Sequence, residues 1–588
     1  MRWSASTRAG IACVAVACLF TLYSGRLIYL HVAKHEEYAQ LAAEKHQMRL
    51  VIHSRRGLIF DRNGELLASN LPVCTVVADC THVTDPEALS LLAAPYLEMP
   101  AKEIQERLAG NRKYVVLKRE VPEDRGLALG RAMQAAGLRG IYFEQDTVRI
   151  YPNGQTLGHV LGFLDHEGKG IQGIERTMDS ALRGTDGFRF IERDRKGREI
   201  MVYRGQEEAA ENGLNVRLTI DMGLQSILEE EMQNAFEDLK PETAVGLIVD
   251  PKTGEILAMT SRPCFDPNHP GGSGPEHMKN RAIVDMMEPG STFKIVVAAA
   301  ALNEGTVKET TGIFCENGRF AYGGRILRDH HAYGTMNVHE ILVKSSNIGS
   351  AKMAMMMGGD RFYEYVRRFG FGERSGIELP GEISGLVHPP QRWDKLTITR
   401  MPMGHSIAVT PLQLTMSMSV IANGGHLMAA QVIRSIEDCE GQIVTTHPPR
   451  LVRDVVPEKT ARFVGSALMG VVGEGGTAQL ARVAGFTVAG KTGTAQKVSP
   501  AGGYAPGQYV VSFIGYLPAE DPRFVCLVMI DDAKIASNLN YGGLVAAPIF
   551  SRIAERAARY LDIVPAPRAL PVAGSTIAMR DVPREDAH

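Results

Sequence analysis

Ser291 and Lys294 stand three residues apart in Glu288-Pro289-Gly290-Ser291-Thr292-Phe293-Lys294, just ahead of the uncharged apolar run 295–302. Pro289 and Gly290 break whatever precedes them, so a helix is expected to start near Ser291 and carry the Ala-rich run into a core. Residues three apart share a helix face, which puts the hydroxyl and the amine on one side of the first turn. A serine hydroxyl is a poor nucleophile at neutral pH until a base takes its proton. Lys294 serves as that base if its own proton is disfavoured, and both burial and the positive end of the helix dipole push that way. The chemistry in view is acyl transfer through a serine ester. An isolated Ser-x-x-Lys is more often a helix cap followed by a snorkelling lysine, so the company it keeps decides the reading.

Two later segments supply that company. Ser345-Ser346-Asn347 falls between helix-like stretches at 338–343 and 348–357. A loop there presents Ser345 as a proton relay and the Asn347 amide as donor and acceptor for a peptide bond; the plainer role is an N-cap on the second helix. Lys491-Thr492-Gly493-Thr494 lies in a strand-like stretch that begins near Phe486. Gly weakens a strand unless another backbone must come close, and a peptide substrate added along the strand edge would be such a backbone. Lys491 with the hydroxyls of Thr492 and Thr494 would then hold a terminal carboxylate. The backbone N–H groups of Ser291 and Thr494 are the candidate oxyanion hole, where loss of one donor costs about 10²–10³ in rate. His330 and His331 beside Asp329 diverge in a turn and lack a third ligand at recognisable spacing, so neither a metal nor another cofactor is expected.

The elements that must position these groups are spread over 588 residues, enough for several domains. A formal charge of −2 and the absence of a basic cluster argue against nucleic acid as a partner. The eight cysteines include no Cys-x-x-Cys pair, and Cys74 and Cys80 are too far apart along one strand to bridge. Residues 9–33 are apolar apart from Arg26 and His31; a helix of that span is roughly 37 Å long, enough for a hydrocarbon core of about 30 Å. Arg2 and Arg8 precede it without an acidic residue, so the short tail 1–8 is expected to stay cytoplasmic and everything after 33 to be exported from an uncleaved anchor.

From 34 to 213 the texture is mixed α/β with no set of nucleophile and base. A polar helix is expected to about Leu50, then a hairpin turning at Asp61-Arg62-Asn63-Gly64, where Asn-Gly suits the positive φ values of such turns. Gly168-Lys169-Gly170-Ile171-Gln172-Gly173 matches a dinucleotide fingerprint between a strand-like 159–164 and a helix-like 174–182. The acidic Asp165-His166-Glu167 beside it and the alternating pattern of 188–193 favour a Gly-rich turn instead. From 214 the pattern is an amphipathic helix at 222–239, a hairpin across Asp250 to Gly254, strands near 486–497, 509–516 and 524–530, and a closing helix at 546–561. Strands at both ends with helices between imply one sheet built from the two ends of 214–563, with a helical subdomain that contains Ser345. Residues 564–588 read as a disordered tail.

The three segments, in this order behind one N-terminal anchor, resemble the class B penicillin-binding proteins. Arg56 to Gly64 and the Gly168 to Glu175 stretch look like that family's N-terminal pedestal, as does Arg149-Ile150-Tyr151-Pro152. Lys279 to Ala282 leading into Ser291, and Val488 to Lys497, look most like its cell-division branch. The resemblance implies an α+β penicillin-binding-protein transpeptidase fold, an antiparallel sheet covered by helices plus a helical subdomain, on an elongated mixed α/β pedestal. It implies a D,D-transpeptidase that cross-links peptidoglycan stem peptides during septal synthesis at the bacterial cytoplasmic membrane, with the bulk of the chain in the periplasm. Ser291 matches the family's nucleophile, Lys294 its general base, Ser345 its proton relay, and Asn347, Lys491, Thr492, Gly493 and Thr494 its substrate contacts. β-Lactams are expected to acylate the same serine, and a SEDS-type glycosyltransferase with other divisome membrane proteins is the expected set of partners. The chain departs from the family pattern at His405-Ser406, where Gln-Gly or Tyr-Gly is usual. A hydrolase of the carboxypeptidase or β-lactamase type shares Ser291 and Lys294, and elongation or sporulation transpeptidases share all three segments.

Overall fold

The computed structural model describes residues 4–38, 47–110, 112–193, 199–499, 503–536 and 539–565. They divide into two compact units: one holds the described residues up to 57 with 72–147 and 183–214, the other holds 58–71, 148–182 and 215 onward.

The first unit begins with α1 (Ala5–Ile28), capped by the Ser4 side chain and prolonged by one π-turn, Tyr29–Ala33. None of α1 is buried, and the 29 residues Ala5–Ala33 are long and apolar enough to cross a membrane. The helix starts ahead of the expected 9–33 span and takes in Arg8. Part of the polar helix expected after it, 39–46, lies outside the described residues; Gln47–Ile52 is a strand, paired antiparallel with Gly187–Arg193. Further on, the strand Leu66–Ala78 pairs with Val115–Pro122 and Ile141–Ile150. The helices Pro86–Leu97 and Glu123–Ala136 bring Leu89, Leu97, Leu129 and Met133 into one core with Val76, Leu117 and Ile141.

In the second unit, α2 (Met222–Leu239) precedes a hairpin of β1 (Thr243–Val249) and β2 (Ile256–Arg262). After the helical region come β3 (Ala489–Val498), β4 (Tyr504–Leu517) and β5 (Phe524–Asp531). The five strands form one antiparallel sheet in the order β2-β1-β5-β4-β3. The two ends of the chain thus meet in the β1–β5 pair, as the alternation of elements predicts. Every residue of β1 and β2 is buried, which requires cover on both faces. α2 and α3 (Ala546–Tyr560) pack together on the sheet, and the wholly buried helix Pro411–Ala422 packs on β1 and β5. β3 is left at the edge.

Two local expectations change. The 61–64 turn does join paired strands, Ile59–Phe60 and Leu66–Ala78, but only Gly64 there has a positive φ. Its shape comes from the buried Asp61 carboxylate, which accepts from the backbone N–H of Asn63 (2.8 Å) and Glu65 (2.7 Å). The 159–164 stretch is not a strand: Gly158–Leu161 is one helical turn. A Cβ on Gly162 would sit 1.8 Å from the Gln172 carbonyl oxygen, and one on Gly173 2.4 Å from that of Val160. These glycines let two backbones touch, and of the fingerprint positions Gly173 and Gly170, whose Cβ would lie 1.9 Å from the Glu175 carbonyl oxygen, are required by such contacts. The tail expected at 564–588 lies, from 566 onward, outside the described residues.

Beside this turn the Arg149 guanidinium donates to Glu175 at 2.6 Å, both side chains almost wholly buried, and the Tyr151 hydroxyl donates to the same carboxylate oxygen. Removing one partner of a buried pair strands the other charge, at a typical cost of about 3–5 kcal/mol. Glu175→Ala is therefore expected to lower the unfolding free energy by that order, seen as a lower denaturant midpoint at an unchanged m-value; a midpoint at the wild-type value contradicts the assignment.

Candidate active site

Gly290–Phe293 forms a single 3₁₀ turn that runs directly into an α-helix, Lys294–Asn303. In a 3₁₀ turn residues i and i+3 eclipse one another, so Ser291 and Lys294 lie on one face of the turn. The apolar run behind Lys294 is buried from Ile295 to Ala301, which anchors the turn. Gly290 has φ +59, and a Cβ there would lie 2.9–3.3 Å from the Thr494 backbone. Only glycine lets β3 come this close. Ser291 itself is half-buried, and its N–H belongs to the first turn, where backbone donors lack helical partners.

Lys294 is wholly buried. Its Nζ donates to the Ser345 carbonyl oxygen (2.6 Å), to Asn347 Oδ1 (2.7 Å) and reaches Ser345 Oγ at 3.1 Å. These bonds run to the second segment rather than to Ser291, so the resting amine is held by the loop that the sequence assigns to proton relay. Lys491, also wholly buried, reaches the same Ser345 Oγ at 3.0 Å. One hydroxyl therefore bridges two lysines. Burial first, and then the Lys491 charge, hold Lys294 well below the ordinary lysine range, against an opposing pull from Asp329. Burial alone pushes Lys491 down to about 7.

Ser345 ends the helix Val338–Lys344 in the left-handed region, φ 58, an uncommon conformation for serine. The helix Asn347–Met357 follows at once, and its N-cap is Ser346, whose hydroxyl accepts from Gly349 N–H. The capping role thus falls to Ser346 and leaves Ser345 and Asn347 for the lysine. Asp329, weighed in the sequence only as a neighbour of two histidines, holds this loop. Its Oδ1 accepts from the N–H of Asn347 (2.5 Å) and Ile348 (3.1 Å), and its Oδ2 from the Ser346 hydroxyl (2.6 Å). A carboxylate at a helix N-terminus meets both free N–H groups and the positive dipole end. No local spacing announces a contact between residues seventeen apart. The Asn347 amide is engaged on both sides, since its Nδ2 also donates to the Arg328 carbonyl; one lone pair and one hydrogen stay open for a substrate.

On β3, Thr492 faces Thr477 with their hydroxyls 3.3 Å apart, and the Thr494 hydroxyl accepts from Gly542 N–H at 3.2 Å. Gly493 has a different reason from the one expected. A Cβ there would meet Ser512 Oγ at 2.4 Å, the Pro289 carbonyl at 3.0 Å and Thr292 at 3.1 Å. The close backbone approach is internal, between β3 and the nucleophile's own turn, and needs no substrate to explain it.

Comparison with known proteins bears on the same residues. Residues 244–555 match the family model of the penicillin-binding protein transpeptidase domain, and residues 51–218 that of the penicillin-binding protein dimerisation domain. The chain belongs to the penicillin-binding proteins. Having a dimerisation domain ahead of the transpeptidase domain, it is of class B. This penicillin-binding protein is 32% identical over 560 residues to the peptidoglycan D,D-transpeptidase FtsI of Escherichia coli K12, covering 94% of this chain and 91% of the relative. It is 33% identical over 553 residues to stage V sporulation protein D of Bacillus subtilis, covering 93% and 84%. Among solved structures, penicillin-binding protein 3 of Mycobacterium tuberculosis complexed with aztreonam superposes with a TM-score of 0.68 at 27% identity, covering 88% of this chain and 98% of that one.

The two buried lysines make stability depend on pH in a definite direction. A lysine whose folded pKa lies below its unfolded one costs stability while both states hold the proton, and the cost fades as pH rises between the two values. For Lys491 that window runs from about 7 to the usual 10.5. Lys491→Met removes the buried cation, so its stability relative to wild type is expected to be greatest near about pH 6 and to decline towards about pH 10. Denaturation at both ends of the range measures it; a difference independent of pH contradicts the depressed pKa.

Proposed function

We propose that this penicillin-binding protein cross-links peptidoglycan during septum formation, using Ser291 as the nucleophile of a two-step acyl transfer. It is a serine D-Ala-D-Ala transpeptidase of class B, and the observation that carries the assignment of roles is the environment of Lys294. A neutral lysine amine has two hydrogens and one lone pair. Two acceptors, the Ser345 carbonyl and Asn347 Oδ1, take the hydrogens, which leaves the lone pair for a proton. When Ser291 Oγ attacks the carbonyl carbon of the penultimate D-Ala, that proton passes to Lys294. Ser345 Oγ, within reach of both lysines, accepts a hydrogen on one side and delivers its own to the nitrogen of the departing D-Ala. The peptide bond breaks and a Ser291 ester remains. The amine of an acceptor stem peptide then attacks the ester, its proton leaves through the same groups, and Ser291 regains its hydrogen. Lys491 supplies charge for the donor's terminal carboxylate, with Thr492 and Thr494 as hydroxyl donors along β3. The N–H groups of Ser291 and Thr494 stabilise the oxyanion, supported by the close approach of Gly290 to Thr494.

The apolar Ala5–Ala33 helix supports a single-pass anchor. Arg2 ahead of it favours a cytoplasmic N-terminus, which puts the chain after residue 33 on the outer side of the membrane. On this reading the pedestal spans 34–213 and the transpeptidase domain 214–563. A SEDS-type glycosyltransferase of the division machinery is the partner proposed for anchor and pedestal. The sporulation relative makes a spore-specific role the second reading. Protein lacking the anchor is expected to form a covalent penicilloyl adduct with a fluorescent penicillin, visible on a denaturing gel and lost in Ser291→Ala. An adduct that persists in Ser291→Ala refutes the nucleophile.

A further inference from the structure

The segment at which this chain departs from its family pattern lies directly against the nucleophile turn. Gly290 N–H donates to the Gly404 carbonyl at 3.3 Å, and Met287 and Val409 exchange backbone hydrogen bonds in an antiparallel bridge. A Cβ on Gly404 would lie 2.1 Å from the Gly290 carbonyl oxygen. Residues 404–409 therefore form a backbone splint along 287–290. On this splint the side chains converge on Glu288. Its Oε1 accepts from Ser406 N–H (3.0 Å), and its Oε2 is 2.7 Å from His405 Nδ1 and 3.1 Å from the Tyr504 hydroxyl. A carboxylate only accepts, so Nδ1 carries a hydrogen and donates it. Burial and the Glu288 charge push the Tyr504 hydroxyl up to about 12, so it too donates. The His405 and Tyr504 rings meet edge to face at 5.8 Å between centroids.

Tyr504 is the register partner of Val498 at the outer end of the β3–β4 pair. β3 carries Lys491, Thr492 and Thr494; the turn after Glu288 carries Ser291. Through Tyr504 on β4, the Glu288 carboxylate thus joins the Ser291 turn, the 404–409 splint and the outer end of the β3–β4 pair. Ser406, in the left-handed region at φ 61, is held there by the bond from its own N–H to Glu288.

We propose that His405 is a positioning residue for acylation: its hydrogen bond to Glu288, shared with Tyr504, fixes the outer end of β3 against the Ser291 turn and so sets the spacing between nucleophile and carboxylate-binding strand. The proposal rests on the transpeptidase reading of Ser291. His405 touches no reacting atom; its effect passes through Glu288. Because His405 and Tyr504 share one carboxylate oxygen, loss of either loosens the same junction, and their effects overlap rather than multiply.

The test uses the full chain in detergent, with a fluorescent penicillin and a thioester analogue of the donor peptide as probes. His405→Ala and Tyr504→Phe are each expected to lower the second-order acylation rate about tenfold, the scale of one hydrogen bond to a charged group. The double variant should lose little more than either alone. His405→Asn, whose amide places a donor near the Nδ1 position, should restore most of the rate. The loss should fall on kcat for the thioester rather than on KM, because the aligned geometry matters most in the transition state. A His405→Ala protein of unchanged melting temperature that acylates at the wild-type rate overturns the proposal, as do effects in the double variant that multiply in full. Should His405→Ala fail to fold, Tyr504→Phe, which removes one oxygen, decides in the same way. Wild-type protein that forms no adduct at all sinks the Ser291 reading instead, so the two failures are distinct.

Discussion

Two wholly buried lysines share one serine hydroxyl, and the rest of the proposed catalytic arrangement answers to that constraint. Lys294 and Lys491 are both wholly buried, and each lies within hydrogen-bond distance of Ser345 Oγ. Two ammonium groups so placed repel in a medium of low dielectric, and desolvation penalises each separately. The cheapest relief is for one of them to give up its proton. The three acceptors around Lys294 fit either state, two for the neutral amine and a third when a proton arrives. On the proposed mechanism the site thus holds a base ready to take the Ser291 proton when that hydroxyl attacks the substrate.

Holding that arrangement takes strain and support from several elements. Ser345 adopts a left-handed backbone, which costs free energy and persists because the surroundings over-determine it. Asp329 clamps Asn347 and Ile348 by their N–H groups and Ser346 by its hydroxyl. The Asp329 charge also pulls Lys294 upward, against burial and Lys491, so the carboxylate that organises the loop limits how far the base is depressed. On the other side, Gly290 and Gly493 remove the two Cβ atoms that would otherwise separate the nucleophile turn from β3. The sheet supplies a rigid edge for this contact because β1 and β2, from the opposite end of the domain's sequence, complete it.

Much of this was legible from the residues in order. Hydrophobic periodicity located α2, and strands at both ends anticipated one sheet built from the two, though not which strands meet. The three catalytic segments were recognisable because each places reactive side chains within three or four positions of one another. What escaped has a common physical character. Asp329 acts across a loop and Glu288 across more than a hundred residues to His405, distances at which spacing carries no information. At Gly493 a missing Cβ looks the same in sequence whether a substrate or the protein's own Ser512 fills the space. The 159–164 stretch was taken for a strand because six mostly apolar residues do not reveal their period.

The state of Lys294 is what the account depends on, and it can be observed directly. Isotope labelling of lysine side-chain nitrogen, with Lys294 assigned by comparison with Lys294→Arg, would follow its protonation by NMR from about pH 6 to about pH 11. The account predicts that Lys294 titrates well below the ordinary lysine range. A Lys294 that stays fully protonated until about pH 10 would contradict it, because an amine of ordinary basicity has no lone pair to offer Ser291.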